Sequence, residues 1–397
     1  MDISSHRERE KACGESQGMR ATRKTHILHI VNSLQVGGME QVVVNIINEL
    51  DPFRYRHSIC CIQSTGPMVD RISFPVKIYT IGKKAGPDYL IPFKIARIIR
   101  KIDPDVVHTR NWGAVDGVLG AILAGVKAVV HDEHGRDAAD PDGINVKRRF
   151  IRKALSYRIC RFIPVSADLE KWLVDVVGIA PAKVQKIHNG VDTMLFHPAD
   201  DRGEKREKLG MENDSFVIGF VGRLDPVKDL ATLLRSFALF SSNLQRKTYL
   251  YVVGKGSELE SLKKLCNELE ISSKVFFAGE CNDIPAVMRC IDIFTLTSIA
   301  EGIPMTVLEA MASGLPVVAT DVGGLKEIVE PYGTGFLTPA RGVEEIAAAF
   351  TAYANDPELV SCHGKNARKK VERDFSIHSM VAQYDALYMS LFAGGRS

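Results

Sequence analysis

The stretch that decides the fold is Thr297–Leu325, TSIAEGIPMTVLEAMASGLPVVATDVGGL. It follows the apolar run Ile291–Leu296 and reads as strand end, glycine turn, short helix, buried strand and second glycine turn. That is the layout of a ligand site at the carboxyl edge of a parallel sheet. Pro304 is expected at the first helical position, where its missing N–H costs nothing. A helix start there leaves the amides of Met305, Thr306 and Val307 free to hold a diphosphate, and Glu301 and Glu309 put a carboxylate on either side for sugar hydroxyls. Two isolated acids would equally serve the helix dipole and solvent. The company of Gly302, Pro304, Gly314, Gly323 and Gly324 favours a site, because glycines gathered in this way mark close backbone approach.

Outward from this stretch, the second half of the chain alternates apolar and helical segments. Strands are predicted at Val217–Val221, Tyr249–Val253, Val275–Ala278, Ile293–Thr297, Val317–Thr320 and Gly335–Leu337, with helices between them at Leu230–Phe240, Glu258–Leu269, Pro285–Cys290, Pro304–Ser313 and Leu325–Val329. The alternation implies an open parallel sheet. Gly222, Arg223 and Lys228 follow one strand directly, which sets two cations at the same edge as the glutamates. Arg223 suits a forked contact with phosphate, and Lys228 a point charge beside a leaving group. Gly254 and Gly256 end the next strand, with Ser257 suited to cap the helix that follows.

The first half repeats the theme without repeating the sequence. His26–Val31 runs into Gly37-Gly38 and a helix over Glu40–Leu50, but no G-x-G-x-x-G is present, so a dinucleotide site is poorly supported. Further strands are predicted at His57–Ile62, Val76–Ile81, Val106–Thr109, Ala128–Asp132, Phe162–Val165 and Val184–His188. Helices fall at Phe93–Lys101, Val115–Leu123, Val146–Ile159 and Asp168–Val177, with Ser166 as an N-cap. The cluster His131, Asp132, Glu133, His134 and Asp137 resembles a ligand set, but neighbours on an extended chain point to opposite faces, so one metal would not collect them. His134, next to Gly135, reads instead as a polar residue at the cleft. Two D-x-D runs, at Asp103–Asp105 and Asp140–Asp142, carry a central proline and read as turns. No essential metal or cofactor is expected.

The chain's 397 residues, 45% of them hydrophobic, are enough for two ordinary domains. We place boundaries at 1–23 for a disordered leader, 24–190 for a first unit, 191–375 for a second, and 376–397 for a terminal helix returning to the first. The first unit carries roughly 24 basic against 16 acidic side chains and the part after residue 190 roughly 22 against 28. The first unit is therefore the one expected to meet an anionic partner, a phosphorylated acceptor or a membrane surface. Lys147–Arg161 forms a basic amphipathic segment suited to anionic lipid, and nothing suggests nucleic acid. The eight cysteines show no C-x-x-C, and Cys60-Cys61 fall in an apolar strand, which points to reduced thiols and a cytoplasmic setting. No apolar run is long enough for a membrane span.

The series VNSLQVGGMEQVVVNI, IHNGVDTMLFHP, GFVGRLDPVKDL, VVGKGSELE and SIAEGIPMTVLEAMASGLPVVATDVGGLKEIV resembles the family 4 retaining glycosyltransferases, from about His26 to the C-terminus. The run HTRNWGAVDGVLGAILAGVKAVVHDEHGRD further resembles the sugar transferases associated with PEP-CTERM/exosortase systems and bacterial exopolysaccharide. The resemblance implies a GT-B fold, two doubly wound Rossmann-like units facing across a cleft, and transfer of a sugar from a nucleotide diphosphate sugar to a hydroxyl acceptor. It implies Arg223 and Lys228 on the diphosphate, Glu301 on the transferred sugar, Glu309 on the ribose, and His134 as the catalytic-site histidine with His131 as its competitor. Gly38, Gly222, Gly254, and the backbone of Gly302, Ile303, Pro304, Met305, Thr306 and Val307 would line the donor site. A front-face route, in which the leaving phosphate takes the acceptor proton, needs no nucleophile from the protein. The alternatives are a nucleotide-sugar epimerase on the same fold and a donor-binding protein without turnover.

Overall fold

A computed structural model describes residues 23–136, 140–198, 206, 212, 214–242, 244 and 246–393. The expected leader, apart from Arg23, lies outside the described residues, as do Cys13 and Asp137. The first sheet contains β1 (Thr25–Ser33), β2 (Tyr55–Ser64), β3 (Lys77–Thr80), β4 (Val106–Arg110), β5 (Ala128–Glu133) and β6 (Arg161–Pro164), in the order β3-β2-β1-β4-β5-β6. The second contains β7 (Phe216–Val221), β8 (Thr248–Val253), β9 (Val275–Gly279), β10 (Ile293–Leu296), β11 (Val317–Thr320) and β12 (Gly335–Thr338), in the order β12-β11-β10-β7-β8-β9. Counted from its own first strand, the second sheet has the order of the first, although no sequence repeat links them.

All pairings are parallel. The physical cause is visible in β4, β5, β7 and β10, whose residues are buried throughout, as they must be when helices cover both faces. In such a sheet the strand order reverses once, here between β1 and β4 and between β7 and β10, and the loops at that reversal splay to leave a crevice. The loops after β1, β7 and β10 carry Gly37-Gly38, Gly222-Arg223 and Thr297–Glu301.

Some predicted elements fold otherwise. Val184–His188 is not a strand: the amides of Gln185 and Ile187 bond to Phe162 and Pro164 along the edge of β6, but only Phe162 and Val184 form a bridge before the chain leaves for the second unit. The helix expected over Asp168–Val177 is α only at Ala167–Lys171 and widens to a π turn at Trp172–Val176. There the buried Trp172 indole donates to the Gly143 carbonyl at 3.1 Å. Ser166 does cap it, accepting from the Leu169 amide. Ser257 caps nothing, since Gly256 packs on the Leu224 carbonyl and that carbonyl takes the Glu258 amide. The two D-x-D runs are turns: Asp105 accepts from the His26 amide and Asp140 from those of Ile144 and Asn145.

The tail folds as helices Val343–Asn355, Pro357–Asp374 and Ile377–Ala393. The last returns to the first unit, where Tyr384 and Tyr388 are fully buried and Asp385 accepts from Tyr55 and Arg54. The two crossings between units run side by side, the Val191 amide donating to the Phe375 carbonyl and the Ile377 amide to the Val191 carbonyl. A second clasp is built on Glu327. One of its oxygens accepts from the Ala167 amide at 2.6 Å, and the other meets His188 at 3.0 Å and Lys186 at 3.3 Å. Because these bonds are charge-assisted, Glu327→Ala is expected to cost ~1–3 kcal/mol. An unchanged urea-unfolding midpoint would show that the clasp contributes nothing.

Candidate active site

The short helix is Met305–Ala312, with Pro304 just outside it as the cap residue, its ψ of 122° being extended. Pro304 therefore does not occupy the first helical position, and its carbonyl accepts from the Val307 amide at 3.2 Å. Of the three amides expected to face a ligand, those of Met305 and Thr306 find no acceptor among the described residues. Directly opposite stands Gly38, the first residue of the helix Gly38–Glu49; a methyl group on it would sit 3.2 Å from Met305 Cγ. Two helix starts, one from each unit, thus face one another, and both present positive ends to the cleft.

At Gly302 the two units meet through their backbones. Any side chain there would collide with the His134 carbonyl, and the next residue's carbonyl, that of Ile303, accepts from Asn189 Nδ2 at 2.8 Å. Gly254, with a φ of +136°, turns tightly against Gly222, whose amide is held by the Val253 carbonyl.

Lys228 and Glu301 are brought together as a pair. Lys228 sits in a single turn, Pro226–Lys228, after β7, and its Nζ donates to Glu301 Oε1 at 2.5 Å; both side chains are largely buried. The same oxygen accepts from Ser298 Oγ at 2.6 Å, which leaves Oε2 as the acceptor for a ligand hydroxyl. Thr297 Oγ1 fastens the β7 loop to the end of β10 by donating to the carbonyls of Lys228 and Asp229. The sequence reading missed Thr297 and Ser298. The Ser-x-x-Glu spacing of Ser298 and Glu301 was the available signal. Arg223 stands apart, exposed and paired with Asp225 at 2.8 Å.

Two further acids line the cleft. Glu309 is half-buried, and its carboxyl is pushed up to about 7 by desolvation, offset in part by Arg71 from the first unit. Glu40, which follows Gly38-Met39, is also raised by desolvation, against the pull of its own amide and of Arg223 and Arg110. Neither Arg71 nor Glu40 was picked out from the sequence. Glu40 lay in plain view after the glycine pair.

The HDEH run divides between the faces of β5 as its alternation demands. His131 bonds Thr109 at 2.7 Å and lies 3.4 Å from Glu133, which is paired with Arg152. Asp132 and His134 face the other way, 3.6 Å apart. The imidazole of His134 does not project into open solvent. Its side chain is 4% exposed, and both ring nitrogens are buried without a hydrogen-bond partner among the described residues. No group of His, Cys, Asp and Glu among the described residues is placed to hold a metal ion.

Two doubly wound units closing on a cleft lined by helix starts, a lysine–glutamate pair and isolated acids define the GT-B class of transferase. Residues 36–195 match the Glycosyltransferase Family 4 model and residues 201–370 the Glycosyl transferases group 1 model. The chain is 26% identical over 381 residues to the Escherichia coli UDP-Gal:alpha-D-GlcNAc-diphosphoundecaprenol alpha-1,3-galactosyltransferase, covering 93% of this chain and 97% of that one. It is 31% identical over 288 residues to the D-inositol 3-phosphate glycosyltransferase of Streptomyces scabiei, 68% of this chain and 64% of that one. The crystal structure of Anabaena HepE in complex with UDP and glucose superposes with a TM-score of 0.81 at 23% identity, over 92% of this chain and 100% of that chain. The chain belongs to the family 4, group 1 glycosyltransferases, and its activity is glycosyl transfer.

The raised carboxyl of Glu309 has a stability consequence of definite sign. The folded state holds the proton to about pH 7 and the unfolded chain loses it near 4.5, so this group's contribution falls as pH rises between the two. Glu309→Gln should therefore raise the melting temperature by ~2–4 °C at pH 8 and give no gain at pH 4. A difference that does not change with pH would contradict the assignment.

Proposed function

We propose that this protein is a retaining transferase that moves a sugar from a nucleotide diphosphate sugar to a hydroxyl of a lipid-linked or glycan acceptor, in the building of bacterial surface polysaccharide. The observation that carries the reading is the Lys228–Glu301 pair beside the start of Met305–Ala312, at the reversal point of the second sheet. The diphosphate lies across the amides of Met305 and Thr306 and near Arg223, which exchanges Asp225 for phosphate. Glu301 Oε2 takes a hydroxyl of the transferred sugar, and Glu309 the ribose.

The first unit holds the acceptor, with His134 at the reacting centre. Bond breaking at the anomeric carbon leaves charge on the diphosphate, which the helix start and the cations stabilise, and the leaving oxygen takes the acceptor proton on the same face. The chemistry assigned to these residues needs no resident metal. A uridine diphosphate donor is favoured by the names of the relatives, since the E. coli protein is a UDP-galactose enzyme and the Anabaena structure holds UDP.

The same E. coli relative works on a diphosphoundecaprenol acceptor, and the first unit offers a surface suited to such a substrate. Helix Val146–Leu155 buries Leu155 and Arg152, while Val146, Phe150 and Ala154, with Tyr157 beyond, form an exposed stripe beside Lys147 and Arg158. Apolar side chains flanked by cations suit the interface of an anionic membrane. We place the enzyme there, peripheral on the cytoplasmic face; no helix of the described residues is long and apolar enough to cross.

Two measurements test this reading. With a panel of UDP-sugars, Glu301→Gln and Arg223→Ala are each expected to lower UDP release by ~10²-fold; near-normal rates in both would sink the site assignment. In sedimentation with vesicles, the protein should pellet with anionic but not neutral lipid, and Phe150→Ser should release it. Equal recovery with both lipids removes the membrane role.

A further inference from the structure

Beneath the carboxyl edge of the first sheet, behind His134, lies a buried polar cluster centred on Asp132. Asp132, fully buried, is 2.6 Å from His108 Nε2 and 3.4 Å from Arg110 Nε, and its Oδ2 accepts from Tyr384 at 3.0 Å. Tyr388 lies 2.7 Å from His108 Nδ1, which also receives Arg110 at 3.2 Å. Because arginine can only donate, His108 Nδ1 must be the acceptor and its proton must sit on Nε2, aimed at Asp132. Arg110 likewise donates to His29 Nδ1 at 3.1 Å, and His29 Nε2 then donates to His57 at 3.0 Å. Arg110 thus sets the direction of the histidine bonds, while Tyr384 donates to Asp132 independently.

We propose that Tyr384, supported by Tyr388, is a positioning residue for His134 and acts through Asp132. This rests on His134 working at the reacting centre, as proposed above. Tyr384 donates to the same oxygen, Oδ2, that faces His134 Nε2 at 3.6 Å. At that distance the carboxylate acts on the imidazole through its charge, which favours the protonated ring. How strongly it does so depends on how much of its charge is already taken up. Both tyrosines ride on helix Ile377–Ala393, which follows the second crossing between units, so Tyr384 reaches Asp132, and Tyr388 reaches His108, only when that helix is docked.

Beta strands β1 and β2 give the cluster His29 and His57, β4 gives His108 and Arg110, and β5 gives Asp132 and His134. Tyr55 of β2 faces His57 and Tyr388, and His26 of β1 acts on His57. The terminal helix gives the two tyrosines, and Glu40 senses Arg110 from the cleft. Burial, with Arg110 adding to it, lowers His29 and His108; burial followed by His26 and Arg110 lowers His57. Burial also pushes Asp132 up, but His108, His134 and Arg110 together hold it well below the usual range. Asp132 is thus the anion whose distribution among its neighbours Tyr384 alters.

The test uses protein labelled with carbon-13 at histidine Cε1, the His134 signal being assigned by its loss in His134→Gln. Tyr384→Phe keeps the ring and removes the donor, so more of Asp132's charge faces His134, and the His134 midpoint should rise by ~0.5–1 pH unit. Tyr388→Phe, one bond further away and duplicated by Arg110, should shift it less, and Asp132→Asn should lower it. An unmoved midpoint in Tyr384→Phe, with the other histidine signals native, overturns the proposal. If that variant does not fold, 3-fluorotyrosine at position 384 strengthens the donor in place; the midpoint should then fall, and an unmoved one overturns the proposal equally. On a UDP-sugar that the enzyme turns over, Tyr384→Phe should lower kcat about tenfold with KM within about twofold. Wild-type turnover by His134→Gln would sink the reading of His134 at the reacting centre, while the titration still decides the linkage.

Discussion

The backbones of the two units touch at Gly302, against the carbonyl of His134, and the geometry of the cleft follows from that contact. A Cβ at this point would hold the units apart by more than an ångström, so the approach is possible only for glycine. It brings the start of Met305–Ala312 opposite the start of Gly38–Glu49, on the same loop as Glu301 of the Lys228–Glu301 pair, and lets Asn189 reach the Ile303 carbonyl. Fixed dipoles from both units then point into one space without any long side chain having to be ordered for the purpose.

Polar groups in the interior are treated in two opposite ways. Asp132 and Glu133 are buried with partners on every side, and those partners outweigh the cost of burial, so both carboxyls lie below their ordinary range, Glu133 at about 2. Glu309 and Glu40 are desolvated with little compensation, and both are raised. The first pair stabilises the architecture of the first unit. The second pair faces the cleft, where hydroxyl donors from a ligand would supply the missing bonds, and an acid left incompletely satisfied in a cleft is what a ligand rewards.

The identical strand order of the two sheets shows why the fold was legible. Short apolar runs rich in β-branched residues, such as Val217–Val221 and Val317–Thr320, read as strands buried on both faces, and their alternation with helical periods leaves a parallel sheet as the packing solution. Misreadings came where local pattern and tertiary demand part company. Val184–His188 has a strand's composition but only one neighbour to pair with, and the helix after Ser166 widens at Trp172 because the indole must reach Gly143. The Lys147–Arg161 segment read as basic and amphipathic, but which of its apolar residues pack inward was not local information: Leu155 and Ile159 are buried, whereas Val146 and Phe150 are exposed.

Of the candidate site, the chain itself determined the chemistry: glycine turns after strands, carboxylates near a helix start, and cations at the same edge, because these depend on spacing within single loops. Which groups meet was decided by the tertiary structure alone. Lys228 and Glu301 are 73 residues apart and bond only because β7 and β10 are neighbours at the reversal of the sheet. Tyr384 reaches Asp132 across 252 residues because the last helix crosses back. Arg71 and Glu309 influence each other only across the cleft. Local spacing fixes what a loop can do, whereas contacts between distant segments depend on how the sheets are ordered and how closely two backbones can approach.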